Sequence, residues 1–227
     1  MAFDPDVTRA LVGYVRQWFA PEDDVLAAAS RNLLANGLPE AHIRPEEGQM
    51  LYFMASLIGA RRILELGTLA GYSGIWLARA LPADGSLTTL EVNSLHARLA
   101  REHFRLAGVA DRVEVIEGAA LDSLARLDGG EPFDMVFIDA DKPNYPAYLD
   151  WSVQNVRPGG LITAHNAFRS GQLVDPNSND AQVEGTRVFL RQMAAHPRLT
   201  STIIPVGDGI AAAVVKWLGN GAAVSGV

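Results

Sequence analysis

Three short segments of the 227-residue chain carry carboxylate, amide, imidazole and amine groups where an ordinary connection between elements does not need them. One reads Phe137-Ile138-Asp139-Ala140-Asp141-Lys142, the second Glu117-Gly118-Ala119-Ala120, and the third Ala164-His165-Asn166, after Pro158-Gly159-Gly160. With Asp139, His165 and Asn166 at neighbouring strand ends, the oxygen and nitrogen donors converge into a set able to hold a divalent metal ion. Lys142 lies one turn beyond Asp139. A lysine beside a cation has its ammonium form disfavoured and can serve as a general base. Standing alone, Asp141 and Lys142 read equally well as a solvated loop pair.

A second constellation lies upstream. The run Ile63-Leu64-Glu65-Leu66-Gly67-Thr68-Leu69-Ala70-Gly71-Tyr72-Ser73 is an apolar strand that breaks into a glycine-containing turn and opens a helix, and Thr88-Thr89-Leu90-Glu91 is the next strand, ending in a carboxylate. Gly67 has no Cβ, so backbone there can approach a ligand closely. An acid at the end of the second strand can accept hydrogen bonds from ribose hydroxyls. The glycine spacing separates possible ligands. A dinucleotide fingerprint reads G-x-G-x-x-G and places a pyrophosphate at the helix N-terminus. Here the second glycine comes late, at Gly71, and Glu65 at the edge of the turn would repel a pyrophosphate but suit a cationic or amino-acid ligand. S-adenosylmethionine has no phosphate, carries a sulfonium and ends in an amino acid, so it matches better than a nicotinamide dinucleotide. The same run also reads as a plain strand–turn–helix without ligand.

These residues must be positioned by an α/β scaffold. Strands are predicted at Ile63–Leu66, Leu87–Glu91, Val113–Glu117, Met135–Ile138, Leu161–Ala164, Ser201–Pro205 and Ile210–Lys216, with helices between them. That alternation implies a mainly parallel sheet covered on both faces. Gly207-Asp208-Gly209 joins the last two strands as a hairpin, so the final strand is antiparallel. The expected fold is α/β: a Rossmann-like methyltransferase layout of seven strands, mainly parallel with an antiparallel last strand, under an N-terminal helical cap. Three helices precede the sheet, over Asp6–Phe19, Glu22–Asn36 with Gly37 as its stop, and from Pro45 onward. The division is one domain, with residues 1–60 as cap, 61–217 as core and 218–227 as a frayed tail.

Composition narrows the classes further. A net charge of −7 weighs against a nucleic-acid partner, which needs a basic face. The absence of cysteine removes disulfides, thiolate nucleophiles and cysteine-type zinc sites. No apolar run reaches membrane-spanning length, and Asp4, Asp6 and Arg9 are not the start of a secretory signal, so the expected setting is the cytoplasm.

Four segments together carry a family resemblance: Ile138-Asp139-Ala140-Asp141-Lys142-Pro143-Asn144-Tyr145, the Glu65–Ser73 run, Glu46-Glu47-Gly48-Gln49, and Ile204-Pro205-Val206-Gly207-Asp208-Gly209. The chain resembles the cation-dependent class I O-methyltransferases, the group of caffeoyl-CoA and catechol O-methyltransferases, from about Arg44 to Lys216. The resemblance implies that Glu65, Gly67, Thr68 and Ser73 line the methionine end of S-adenosylmethionine and that Glu91 holds the ribose. It implies that Ala120 and Asp141 border the adenine and that Ile43 closes over the cofactor from the cap. Asp139 would touch both cofactor and metal, Asn166 would be a further metal ligand, and Lys142 the base. Relatives are commonly homodimers, and the apolar cap helices suit that.

One departure stands out. The family pattern has Asp-Asn at the end of the fifth strand, and this chain has His165-Asn166. Imidazole suits zinc, iron, nickel or manganese-like ions, whereas magnesium prefers oxygen. His165 therefore reads as a ligand for a transition metal, or as a base or hydrogen-bond partner at a site that binds metal weakly or not at all, or as a satisfied core histidine. The leading function is methyl transfer to a hydroxyl of a small, catechol-like aromatic molecule. The alternatives are methylation of a hydroxylated transfer-RNA nucleoside, left open by Arg169 and Arg187, a non-catalytic cofactor-binding protein, and a dehydrogenase, which the glycine spacing disfavours.

Overall fold

A strand that carries apolar residues on both of its faces can be stable only where both faces of its sheet are covered. Two such strands, β1 (Arg62–Leu66) and β4 (Phe133–Ile138), lie side by side in the middle of the sheet, with Ile63, Leu64, Leu66 and Met135–Ile138 fully buried. The computed structural model describes residues 4–36 and 42–217. It contains a seven-stranded sheet of order β3-β2-β1-β4-β5-β7-β6, with β2 at Ser86–Glu91, β3 at Val113–Glu117, β5 at Val156–Ala164, β6 at Leu199–Ile204 and β7 at Ile210–Val215. Strands β1 to β5 pair in parallel, and β7 runs antiparallel to both β5 and β6. The expected layout and hairpin are therefore present.

Period-two alternation along each strand feeds two cores. Ile63, Met135 and Phe137 face the helices α2 (Asp24–Ala35), α3 (Pro45–Leu57), α4 (Tyr72–Ala80) and α5 (Ser94–Leu106). Leu64, Leu66, Val136 and Ile138 face α6 (Ala120–Leu127), α7 (Tyr145–Asn155) and α8 (Ala181–Ala195). The first helix, α1 (Pro5–Phe19), starts on an Asp4 cap and has no buried residue. Among the described residues no helix is long and apolar enough to cross a membrane.

Several boundaries differ from the sequence reading by a residue or two, β6 among them at Leu199–Ile204, and one differs by more. β5 begins at Val156 rather than Leu161, so Pro158-Gly159-Gly160 lies inside the strand, and its register against β4 shifts between Phe133 and Met135. A proline cannot donate to the ladder, and an irregularity of this kind accommodates it. The helix expected over Glu22–Asn36 spans Asp24–Ala35, and Asn36 is its C-cap. The predicted stop at Gly37 and the predicted tail lie outside the described residues.

The order of the sheet reverses at β1, whose chain continues outward to β2 and β3 while β4 and β5 lie on its other side. In open α/β sheets a ligand crevice forms beyond the carboxyl ends of the strands at such a point. Gly67 ends β1 there with φ at +94°, and a Cβ on it would stand 2.3 Å from the Asp139 carbonyl oxygen. Only glycine lets the two loops cross that closely.

Candidate active site

A cleft of about 620 Å³ opens over the ends of β1, β2 and β4. Its walls include Ile43 from the cap, Gly67, Thr68 and Ser73 after β1, Glu91 after β2, Ala120 at the start of α6, Asp139, Asp141 and Lys142 after β4, and Asn166 after β5. The structure thus gathers residues spread from position 43 to position 166 around one space. Two of the expected site residues stand behind its walls: Glu65 is fully buried and His165 is 6% exposed.

Glu65 reaches the cleft through hydroxyls. Its carboxylate accepts from Ser73 Oγ at 2.5 Å and from Thr89 Oγ1 at 2.7 Å, and Thr68 Oγ1 lies 2.6 Å from Thr89 Oγ1. Among the described residues no cation pairs with it, and burial pushes the carboxyl up to about 7. At the other end, Glu91 Oε2 accepts from the backbone N–H groups of Thr68 at 3.2 Å and Leu69 at 2.8 Å, and Oε1 accepts from Asn93 N–H at 2.9 Å. Glu91 therefore ties the glycine turn to the end of β2 and keeps one hydrogen-bonding position on Oε1, with His96 Nδ1 3.5 Å from that oxygen.

The third cluster is ionic. Lys142 Nζ donates to Asp139 Oδ1 at 2.7 Å and to the Ala140 carbonyl at 3.1 Å, and lies 5.0 Å above the ring of Tyr145. Asp139 Oδ2 is 3.1 Å from His165 Nδ1, and His165 Nε2 is 3.0 Å from Glu47 Oε1. Burial favours the neutral ring, but Asp139 and Glu47 outweigh it and raise the His165 pKa to about 9. Burial likewise favours the neutral acids; Lys142 and His165 override it at Asp139, holding its carboxyl well below the usual range, and His165 lowers Glu47. Asn166 donates to Asp208 Oδ2 at 3.0 Å, and its φ is +57°.

A model of the O-methyltransferase family matches residues 18–216. The chain belongs to that family, whose members are class I S-adenosylmethionine-dependent enzymes. Among its relatives, a catechol O-methyltransferase of Niastella koreensis is 44% identical over 210 residues, 89% of this chain and 95% of that protein. The crystal structure of an O-methyltransferase from Bacillus cereus, in complex with S-adenosylhomocysteine, is 43% identical with a TM-score of 0.86, covering 91% of this chain and 97% of that one. The O-methyltransferase TomG from Streptomyces achromogenes, involved in tomaymycin synthesis and solved with S-adenosylmethionine, is 38% identical with a TM-score of 0.88, covering 95% of this chain and all of that one.

Against the members of this O-methyltransferase family that depend on a cation, the donor set is the test. A metal ligand must present a lone pair. Asp139 and Asn166 keep oxygen lone pairs, since each Asp139 oxygen faces one donor and Asn166 engages only its N–H₂, with Asp208; but both nitrogens of His165 face carboxylate oxygens, so the third ligand is missing. Among the described residues no group of three or more His, Asp or Glu is arranged to hold a metal ion. As they stand, these residues do not fit a divalent cation.

Several residues in or behind the cleft wall have no site role in the sequence reading. Tyr148, read as a packing residue, lines the cleft and donates to Asp141 Oδ1 at 2.6 Å. Its burial and that bond raise its pKa further from neutrality. His42, assigned nothing, lines the cleft and stacks on Tyr72 at 4.4 Å between ring centres. Glu47 and Asp208 sat in segments quoted for the resemblance, and that membership was the only signal of either.

Proposed function

We propose that this O-methyltransferase transfers the methyl group of S-adenosylmethionine to a hydroxyl of a small, catechol-like aromatic molecule. The observation that carries the reading is Lys142, buried in the wall of the cleft and held by two acceptors. A neutral amine has two N–H bonds and one lone pair. Asp139 Oδ1 and the Ala140 carbonyl fix two of its N–H bonds, and once the nitrogen has given up its third proton the remaining position offers that lone pair to the proton of an incoming hydroxyl. The cofactor supplies a methyl already activated on a sulfonium, so positioning by the protein contributes much of the rate. Glu91 would accept from the ribose with its remaining position, Ala120 and Asp141 would border the adenine, and Ile43 would close the cap side. Ser73 and Thr68, backed by Glu65, would meet the amino-acid end. No step runs through a divalent metal. The catechol-like acceptor is supported by the name of the Niastella koreensis relative. Methyl transfer to catechol, followed by chromatography of the methyl ether, tests it; binding of the cofactor without turnover of any phenol would overturn the acceptor assignment.

Cofactor affinity is expected to depend on Glu65. A nearby ammonium favours the ionised carboxylate, whose pKa is about 7 without ligand. Affinity should therefore be full above pH 7 and fall as pH drops through 7, approaching about tenfold per pH unit below it. Calorimetric titrations between pH 8 and pH 6 check this, and Glu65→Gln should flatten the profile. An unchanged slope in that variant would assign the dependence to another group.

We also propose a homodimer formed through the cap. Val7, Leu11, Tyr14, Trp18 and Phe19 are exposed on α1, which buries none of its residues within the chain. Trp18→Asp is expected to convert a dimer to a monomer in light scattering. Wild type running at monomer mass would overturn the assignment. The cytoplasm remains the proposed setting, since a cysteine-free chain gains nothing from an oxidising compartment. A nucleic-acid substrate is not favoured. Arg187, which had left that reading open, donates to the carbonyls of Leu173, Ser178, Gln172 and Asp175, so it braces a loop instead of presenting charge to phosphate.

A further inference from the structure

Two of the groups at the place that the family resemblance gives to a divalent cation, Asp139 and His165, face one another here, and the way His165 is satisfied has a direction. Glu47 is 1% exposed, and both of its oxygens are engaged by N–H donors. Oε2 accepts from Arg44 N–H at 2.7 Å and Oε1 from Asp208 N–H at 2.9 Å. A carboxylate this far from water is either pushed toward its neutral form, as Glu65 is, or held ionised by a positive partner, and Glu47 lies below the ordinary carboxylate range. The partner that the fold supplies is His165, 3.0 Å away through Nε2. On the opposite edge of the ring, Nδ1 stands 3.1 Å from Asp139 Oδ2. Two carboxylates accept; neither donates. A ring that satisfies both carries two N–H bonds, and with them a positive charge, and it has no lone pair left for a metal.

The seat is rigid. Glu47 comes from the first turn of α3, Asp139 from the end of β4, His165 from the end of β5, and Asp208 from the β6–β7 hairpin. The hairpin presses on Glu47 so closely that a Cβ at Gly207 would stand 2.1 Å from the carboxylate carbon. There is no room for Glu47 to withdraw toward the hairpin and free the ring.

We propose that His165 is the resident cation of this site: its ring, clamped between Glu47 and Asp139, fills from within the chain the place of a divalent metal, and methyl transfer needs no metal ion. This rests on the O-methyltransferase reading of the cleft, because the place of the metal has meaning only there. The balance of the step is unaltered. A C–O bond forms as the C–S bond breaks, the hydroxyl proton passes to the Lys142 amine, and nothing is oxidised or reduced. His165 makes no bond to the acceptor in this account. It is a positioning residue that holds Asp139, and through Asp139 the amine of Lys142.

The test is a manganese titration of the full chain loaded with S-adenosylhomocysteine after dialysis against chelator, with free Mn²⁺ read by electron paramagnetic resonance. Wild type is expected to leave the free-ion signal unchanged, and His165→Asp, which removes the ring and returns a carboxylate, to withdraw one equivalent. In parallel, wild-type methyl transfer to catechol should be the same with and without chelator, and that of His165→Asp should become dependent on added Mn²⁺ or Mg²⁺. Stoichiometric Mn²⁺ binding by wild type that is lost in His165→Ala would overturn the proposal. So would a chelated wild type that regains activity only on adding metal. If the variants do not fold, the wild-type titration decides alone. If catechol is never methylated, the acceptor reading fails, while the Mn²⁺ titration still decides this one.

Discussion

Lys142→Met is expected to lower the rate of methyl transfer by about 10²- to 10⁴-fold, the range over which a positioned general base acts. Affinity for S-adenosylhomocysteine should stay within about threefold of wild type, a change of less than 1 kcal/mol. Methionine preserves most of the buried stem and removes the nitrogen that lies over Tyr145 and that Asp139 and Ala140 orient. Lys142→Arg separates two roles. A guanidinium keeps a positive charge near Asp139 but has no lone pair and does not deprotonate. If Lys142 takes the proton, the arginine variant is as inactive as the methionine variant. If it retains near-wild-type turnover, the residue contributes charge alone and the base lies elsewhere. Single-turnover rates with preloaded cofactor make the comparison without interference from product release.

Glu91→Ala should weaken binding of S-adenosylhomocysteine by about 10- to 100-fold, the loss of one hydrogen bond to a charged acceptor. From its type and place alone, Glu91 could receive both ribose hydroxyls. The structure reduces that to one, because the backbone N–H groups of Thr68 and Leu69 already converge on Oε2 and that of Asn93 on Oε1. The variant should also loosen the glycine turn, whose two N–H groups lose their acceptor. Glu91→Gln keeps the volume but turns an amide N–H₂ toward one set of N–H donors, so it should not recover full affinity. Calorimetry with S-adenosylhomocysteine checks both variants; unchanged affinity in Glu91→Ala would remove the residue from the cofactor site.

Much of the frame was legible because its signals are local. Apolar runs such as Ile63–Leu66 and Met135–Ile138 declare buried strands by residue type, and Gly207-Asp208-Gly209 declares a hairpin by turn chemistry. Polar residues at the ends of such strands must then lie on one edge of the sheet, which is why Glu91, Asp139, Lys142, His165 and Asn166 group together on the sequence alone. Residues whose signal is ambiguous at short range were read less well. Tyr148 has the spacing of a core residue on α7 and is indeed buried, yet its hydroxyl reaches Asp141. The start of β5 was masked by a proline and two glycines, which by themselves read as a turn.

What the sequence determined, then, is the set of elements and the edge on which their polar ends meet, since periodicity and turn residues act within a few positions along the chain. What only the tertiary structure decided is how those polar ends are paired. Glu47 bonds His165 across 118 positions and Asp208 across 161. No local pattern encodes that, because it depends on how the first turn of α3 packs against the β6–β7 hairpin. The chemical character of His165 follows from that packing. On the sequence it is a possible ligand, base or core residue; between the buried carboxylate of Glu47 and the half-buried one of Asp139 its ring carries two N–H bonds, and neither nitrogen is left with a lone pair to offer a metal.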